Sequence, residues 1–142
     1  MSTIQKLAIA YALMFGFVAI MGYIPPFVDE QGLLFGLFSL DLHDNLLHAF
    51  SGVWALTAAW LSHRQAVFYF KMFGTVYFLD GVMGIVLGNA FLDFGIFHNG
   101  IASYDLLTKF FMNIPHIAIG GIAMYIGFKL ATRYGQSIQK NP

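Results

Sequence analysis

The sequence predicts an all-α fold, a four-transmembrane-helix bundle built from two parallel helical-pair repeats, and three observations carry that expectation. Hydrophobic residues make up 58% of the chain and charged residues only 10%, whereas a soluble domain usually carries roughly 25% charged residues. A bilayer supplies the apolar solvent that such a surface needs. Four apolar runs each approach the roughly 20 residues that cross a hydrocarbon core. Finally, one phrase occurs twice, as Asn45-Leu-Leu-His48-Ala-Phe-Ser-Gly52 and, 68 residues on, as Asn113-Ile-Pro-His116-Ile-Ala-Ile-Gly120. The echo runs on at helical spacing, His48, Gly52, Ala55 and Ala59 matching His116, Gly120, Ala123 and Gly127, so two helices carry the same stripe.

The first crossing is expected over 7–24, stopped by Pro25-Pro26, which remove backbone donors and restrict the residue before them. Only Lys6 gives it a positive start and no small-x-small cleavage site follows, so it reads as a retained anchor and not as a signal peptide. The remaining crossings are expected over 45–61, 67–87 and 110–130, all within a single integral membrane domain over 1–142. A tight hairpin at 62–66 joins the second and third. The other two links are each about twenty residues long, unusual for plain loops. Within the first, Gly32 to Leu40 is apolar but too short to span, and is expected as an interfacial segment lying on the outer surface or dipping in and returning.

Charge placement orients the bundle. Lys6, Arg64, Lys71, Lys129, Arg133 and Lys140 fall at the end holding both termini and the short hairpin, with Lys109 opposite; the long links hold Asp29, Glu30, Asp41, Asp44, Asp93 and Asp105. By the positive-inside rule both termini are expected in the cytoplasm. Trp60 and Tyr134 near the inner face, with Tyr23 and Tyr104 near the outer, suit an interfacial aromatic belt. Sparse basic residues argue against nucleic acid, and the absence of cysteine removes disulfides, thiolate metal sites and cysteine nucleophiles. No hydrolase nucleophile or phosphate-loop pattern is recognisable.

The stretch Gly36-Leu-Phe-Ser-Leu-Asp-Leu-His-Asp-Asn-Leu-Leu-His48 with Gly52, followed by Asn113, His116 and Gly120, resembles an uncharacterised bacterial family of small four-helix integral membrane proteins. That resemblance implies a shape and a location and no chemistry.

Each candidate residue has a structural and a chemical reading. Asn45 or Asp44, and Asn113, fall where helices are expected to start, so their side chains suit N-caps, with Pro115 in a first turn. His48 and His116 offer lone pairs that can ligate haem iron, a chlorophyll magnesium or another metal ion, Gly52 and Gly120 clearing room for a flat ring. The structural reading makes both histidines interhelical hydrogen-bonding groups. Their helices are either diagonal across the bundle or adjacent through their small-residue stripes. Asp80, about eight positions before the outer end of its crossing and so roughly 12 Å deep, either orients one of the histidines, relays protons, or locks helices together. His43, Asp41 and Asp44 with Asp93 and His98 gather oxygen and nitrogen donors at the outer mouth, in no established zinc spacing. Gly84, Gly88, Ala12 and Gly16 read as close-packing positions.

The expected function is that of a non-catalytic accessory or structural subunit, whose partners are membrane lipids and other membrane subunits or further copies of itself. A tetrapyrrole-binding redox or pigment protein using His48 and His116 is the alternative, and a small transporter or proton conductor using Asp80 the third.

Overall fold

The computed structural model describes residues 1–30, 33–35, 38–39 and 42–134. Gly32, Gly36, Leu40, Asp41 and Lys140, which figure in the sequence reading, lie outside the described residues.

Helix α1, Thr3–Met21, begins at a capping box in which Ser2 Oγ accepts from Gln5 N–H and the Gln5 side chain accepts from Ser2 N–H. It ends three residues earlier than the proline rule suggests. Gly22 caps it, and the amides of Tyr23 and Ile24 turn back to the carbonyls of Ile20 and Met21, tightening the chain into a short 3₁₀ turn at Pro25–Phe27. Of the apolar stretch expected at the outer surface, the described residues form a small antiparallel ladder in which Leu33 pairs with Ser39 and Leu34 with Phe38, and Leu34 is buried.

Helix α2, Leu42–Leu61, is followed by a single residue, Ser62, whose hydroxyl caps α3, His63–Leu87, by accepting from Gln65 N–H at 3.1 Å. The hairpin is thus tighter than the five residues expected. Helix α3 stops at Gly88, whose φ of +86° is the left-handed geometry of a helix-ending glycine. A Cβ there would also meet the Ala102 carbonyl. A short helix α4, Gly95–Asn99, lies within the following link, and α5, Leu106–Met124, continues through a π-helical turn, Tyr125–Leu130, to residue 134.

Three of these helices are long and apolar enough to cross a membrane: Thr3–Met21, His63–Leu87 and Leu106–Tyr134. Helix α2 is as long as α1, but His43, Asp44, Asn45 and His48 crowd its first two turns and lower its apolarity.

The helices associate as two antiparallel pairs. In the first, Gln5 Nε2 donates to the Ala59 carbonyl at 2.8 Å, and a Cβ on Gly52 would lie 3.2 Å from the Ala12 carbonyl, so α1 and α2 run backbone to backbone. The α3–α5 pair is zipped more tightly still. A Cβ on Gly127 would sit 2.8 Å from Lys71 N, one on Gly74 2.6 Å from Met124 N, and one on Gly81 2.7 Å from Ile117 Cγ1. Only glycine admits such approach, the small-residue packing by which membrane helices associate where apolar burial gains little.

Between the pairs runs a column of buried rings. Tyr11 and Phe15 of α1 meet Tyr69, Phe70, Phe73 and Tyr77 of α3, with Tyr69–Phe73 and Phe73–Tyr77 stacked at 5.1 and 4.7 Å. The Tyr11 hydroxyl crosses to the Ile119 carbonyl of α5 at 2.9 Å. Helices α1 and α3 therefore meet across the bundle axis, and α2 and α5 stand on its flanks, the diagonal arrangement of the two considered.

Candidate functional site

Asp80 is the centre of the one buried charged cluster among the described residues, and it is fully buried. Its Oδ1 accepts from the backbone amides of Phe91 and Leu92, each at 2.8 Å, and its Oδ2 lies 2.6 Å from His116 Nδ1. One carboxylate thus joins three segments: α3, which carries it, the link after α3, and α5. The pattern suits the medium, because a polar group that cannot reach water must find its partners within the protein.

The rest of that link is folded onto the end of α3 by its own bonds. Ala102 N–H reaches the Leu87 carbonyl at 2.9 Å, Asn89 Nδ2 the Gly100 carbonyl at 2.7 Å, and Ile96 N–H the Ala90 carbonyl at 2.8 Å. Asp93 Oδ1 accepts from Gly95 N–H at 2.8 Å, fixing the entry to α4. With Asp80 beneath them, these bonds make residues 88–105 a fitted cap instead of a slack connection.

His116 is held on a second side by Tyr77, whose ring centroid is 4.5 Å away. His48 has a similar aromatic neighbour, Phe15 of α1, at 5.8 Å. The carboxylate has no counterpart there: His48 Nδ1 is buried without a hydrogen-bond partner. Three further buried polar atoms among the described residues, Asn45 Oδ1 and the hydroxyls of Tyr77 and Tyr69, also lack partners, the first two near His48 and His116. An unpaired buried group costs about 1–3 kcal/mol, so this level of the bundle holds unspent hydrogen-bonding capacity.

The two imidazoles do not share an open space. Phe15 on His48 and Tyr77 on His116 pack against each other at 5.8 Å, and the room that Gly52 and Gly120 were expected to clear is filled by neighbouring backbone. A Cβ on Gly120 would lie 2.5 Å from Phe78 N. Those glycines serve helix approach. A haem or chlorophyll ligated by both histidines finds no space cleared for it beside either glycine.

The capping expectation for the asparagines is corrected. Helix α5 starts seven residues before Asn113, capped by Asp105, whose carboxylate accepts from the Thr108 amide and hydroxyl. Asn113 is instead buried in mid-helix, its Nδ2 donating to the Lys109 carbonyl at 2.9 Å and its Oδ1 occupying the place that a side chain on Gly84 would take. Pro115 is likewise inside the helix. Asn45 sits one turn into α2. The signal for the true start was present, because Asp105-x-x-Thr108 is a good N-terminal pattern; the apolar count that begins at Phe110 obscured it.

Where the start of α2 meets the link after α3, the rings of His43 and His98 lie 5.8 Å apart, beside Phe94. Among the described residues no three histidines or acids gather closely enough to hold a metal ion. Tyr77 and the amides of Phe91 and Leu92 went unrecognised in the sequence. Tyr77 left a trace, standing one helical turn before Asp80 on the same face, whereas backbone donors leave none.

Helical pairs zipped by glycine and packed together through a column of buried rings, one of them carrying a buried carboxylate–imidazole contact, define an all-α protein of membrane-helix character. Residues 5–106 match the family described as Domain of unknown function (DUF4383), and the chain belongs to that family. The match includes His48 and Asp80 and ends at the first residue of α5, before Asn113 and His116, and it carries neither the repeated motif nor a bacterial origin. No curated protein and no solved structure matches the chain.

Proposed function

We propose that this chain is a four-crossing integral membrane protein acting as a non-catalytic structural or accessory subunit, within a larger membrane complex or a homo-oligomer. The observation that carries the reading is Asp80: its oxygens are engaged by two link amides and an imidazole, the pattern of a group that fastens parts together. A proton carrier instead needs a carboxylate that water can reach, and Asp80 is fully buried.

Supporting four crossings, α2 lies antiparallel along α1 from Gln5–Ala59 at one end to Phe15–His48 at the other. A neighbour matched over that length crosses whatever α1 crosses, and the polar first turns of α2 then meet the outer headgroups. The N-terminus, Ser62 and the described end of α5 fall at the basic end, which the positive-inside rule assigns to the cytoplasm; the membrane in this reading is a bacterial inner membrane. The recurring contact of an aromatic ring on each histidine, Phe15 on His48 and Tyr77 on His116, supports descent from one duplicated helical pair.

Apolar side chains cover the outward faces, with Leu46, Phe50, Val53 and Trp60 of α2 all exposed. These suit lipid and neighbouring helices. Extraction in mild detergent, followed by size analysis and reconstitution into vesicles, tests the proposal. It expects an assembly larger than one chain and no proton or solute flux; a solitary monomer that turns over a small substrate, or flux abolished by Asp80→Asn, contradicts it.

A further inference from the structure

At the basic end of the bundle, α3 and the π-helical turn of α5 leave a groove of ≈ 250 Å³ lined by His63, Arg64, Val67, Lys71, Gly127 and Ala131. We propose that this groove binds the phosphate of an anionic phospholipid from the leaflet at that end, a site that rests on the membrane-spanning reading above.

Charge is the first ground. Arg64 and Lys71 are seven residues apart, two turns along one face of α3 and about 10 Å in rise, with Val67 between them. All seven acidic residues of the chain, Asp29, Glu30, Asp41, Asp44, Asp80, Asp93 and Asp105, belong to the long links, the start of α2 or the far half of α3. Among the described residues no acidic side chain belongs to this end of the bundle to neutralise these cations.

Depth is the second. Lys71 lies eight residues into α3, roughly 12 Å from its start, where a charge in a bilayer needs a counter-ion or a route to the headgroups. Its ammonium has the face of the Phe128 ring, at 5.3 Å from the centroid, as its contact. That contact holds the charge without cancelling it. His63 is less available, because its Nδ1 is bonded to Ser2 Oγ at 2.8 Å.

Shape is the third. The π turn, Tyr125–Leu130, is an uncommon geometry that often marks functional positions, and within it Gly127 brings the α5 backbone against Lys71. With no side chain at Gly127, the α5 backbone closes onto α3 and itself lines the groove there. Arg64 at the rim offers its planar donors to phosphate oxygens and Lys71 a point charge from below, while Val67 and Ala131 give the first carbons of an acyl chain an apolar wall. Basic pockets between membrane helices recognise anionic headgroups in this way.

The test uses delipidated full-length protein in mild detergent, with thermal unfolding followed as phosphatidylglycerol, phosphatidylcholine or inorganic phosphate is added. Phosphatidylglycerol is expected to raise the midpoint saturably and the other two are not. Arg64→Gln and Lys71→Gln each weaken that response by roughly fivefold, from about 1 kcal/mol per cation, whereas Lys6→Gln, at the same end but outside the groove, leaves it intact. Arg64→Lys with Lys71→Arg restores it, which separates lost charge from a misfolded variant. An equal response to inorganic phosphate makes the site a free-anion site and overturns the lipid assignment, as does a response that survives removal of both cations. Flotation with phosphatidylcholine vesicles distinguishes the failures: a protein that does not insert refutes the membrane reading, and one that inserts but ignores phosphatidylglycerol refutes this site alone.

Discussion

Replacing Asp80 by alanine removes the acceptor from the amides of Phe91 and Leu92 and from His116 Nδ1 in one step. Each buried donor left unpaired costs about 1–3 kcal/mol, so three bound the loss at about 3–9 kcal/mol, with the lower part expected because contacts in one network are not additive. Asp80→Asn keeps a carbonyl oxygen for the two amides and gives up only the charge, so it costs about 1–3 kcal/mol. Hydrogen exchange in mild detergent reads the effect where it arises. The amides of Phe91 and Leu92 should lose protection at least tenfold in Asp80→Ala, for about 1.4 kcal/mol of local stability, with a smaller loss in Asp80→Asn. Protection around Tyr11 and Phe15, which touch the core rings and not the link, should change less. Unchanged exchange at Phe91 and Leu92 in Asp80→Ala refutes the reasoning, because the link would then be held by something other than the carboxylate.

Further expectations test the packing and the caps. Gly120→Ala drives a Cβ to within 2.5 Å of Phe78 N, and Gly127→Ala to within 2.8 Å of Lys71 N; each should destabilise by about 1–3 kcal/mol as overpacking. Gly121→Ala, whose nearest neighbour is the Phe78 ring at 3.8 Å, should be tolerated in the same thermal assay. Tyr11→Phe forfeits the bond to the Ile119 carbonyl and should cost about 1 kcal/mol, whereas Tyr69→Phe removes a buried hydroxyl that has no partner and should be neutral or stabilising. The hydroxyl and amide of Thr108 hold the Asp105 carboxyl below the usual carboxylate range. Its folded value being depressed, the cap contributes fully above the ordinary value of 3.8 and is lost as pH falls through the lowered one. Exchange of the Thr108 amide should rise in that acid range, and Asp105→Asn should flatten the dependence.

Much of this architecture is legible in the residues themselves. The apolar runs, the Ser62 hairpin and the segregation of Lys and Arg from Asp follow from composition and spacing, because membrane helices are defined by length and apolarity. The shared stripe is legible too, but its meaning is not. Gly52 and Gly120 look alike whether the cleared volume takes a flat ligand or a neighbouring helix, and the Ala12 carbonyl and Phe78 amide that fill it come from elsewhere in the chain. Helix starts are misjudged where apolarity and capping disagree, as at Asp105 against Asn113, since the apolar run begins after the helix does. Asp80 is conspicuous as a charge in an apolar segment. The two link amides that accompany His116 are beyond the reach of side-chain patterns, because every residue but proline carries one. The π turn at Tyr125–Leu130 leaves no signal in the side chains.

The membrane topology can be measured on a clean background, because the sequence contains no cysteine. Single cysteines at Gln65, beside the hairpin, and at Asn99, in the link above Asp80, are probed in sealed vesicles with a membrane-impermeant maleimide. The account requires Gln65→Cys to react from the side that bears the N-terminus and Asn99→Cys only from the opposite side. Labelling of both from one side would mean that α3 does not cross, and the four-crossing bundle clasped by Asp80 would be contradicted.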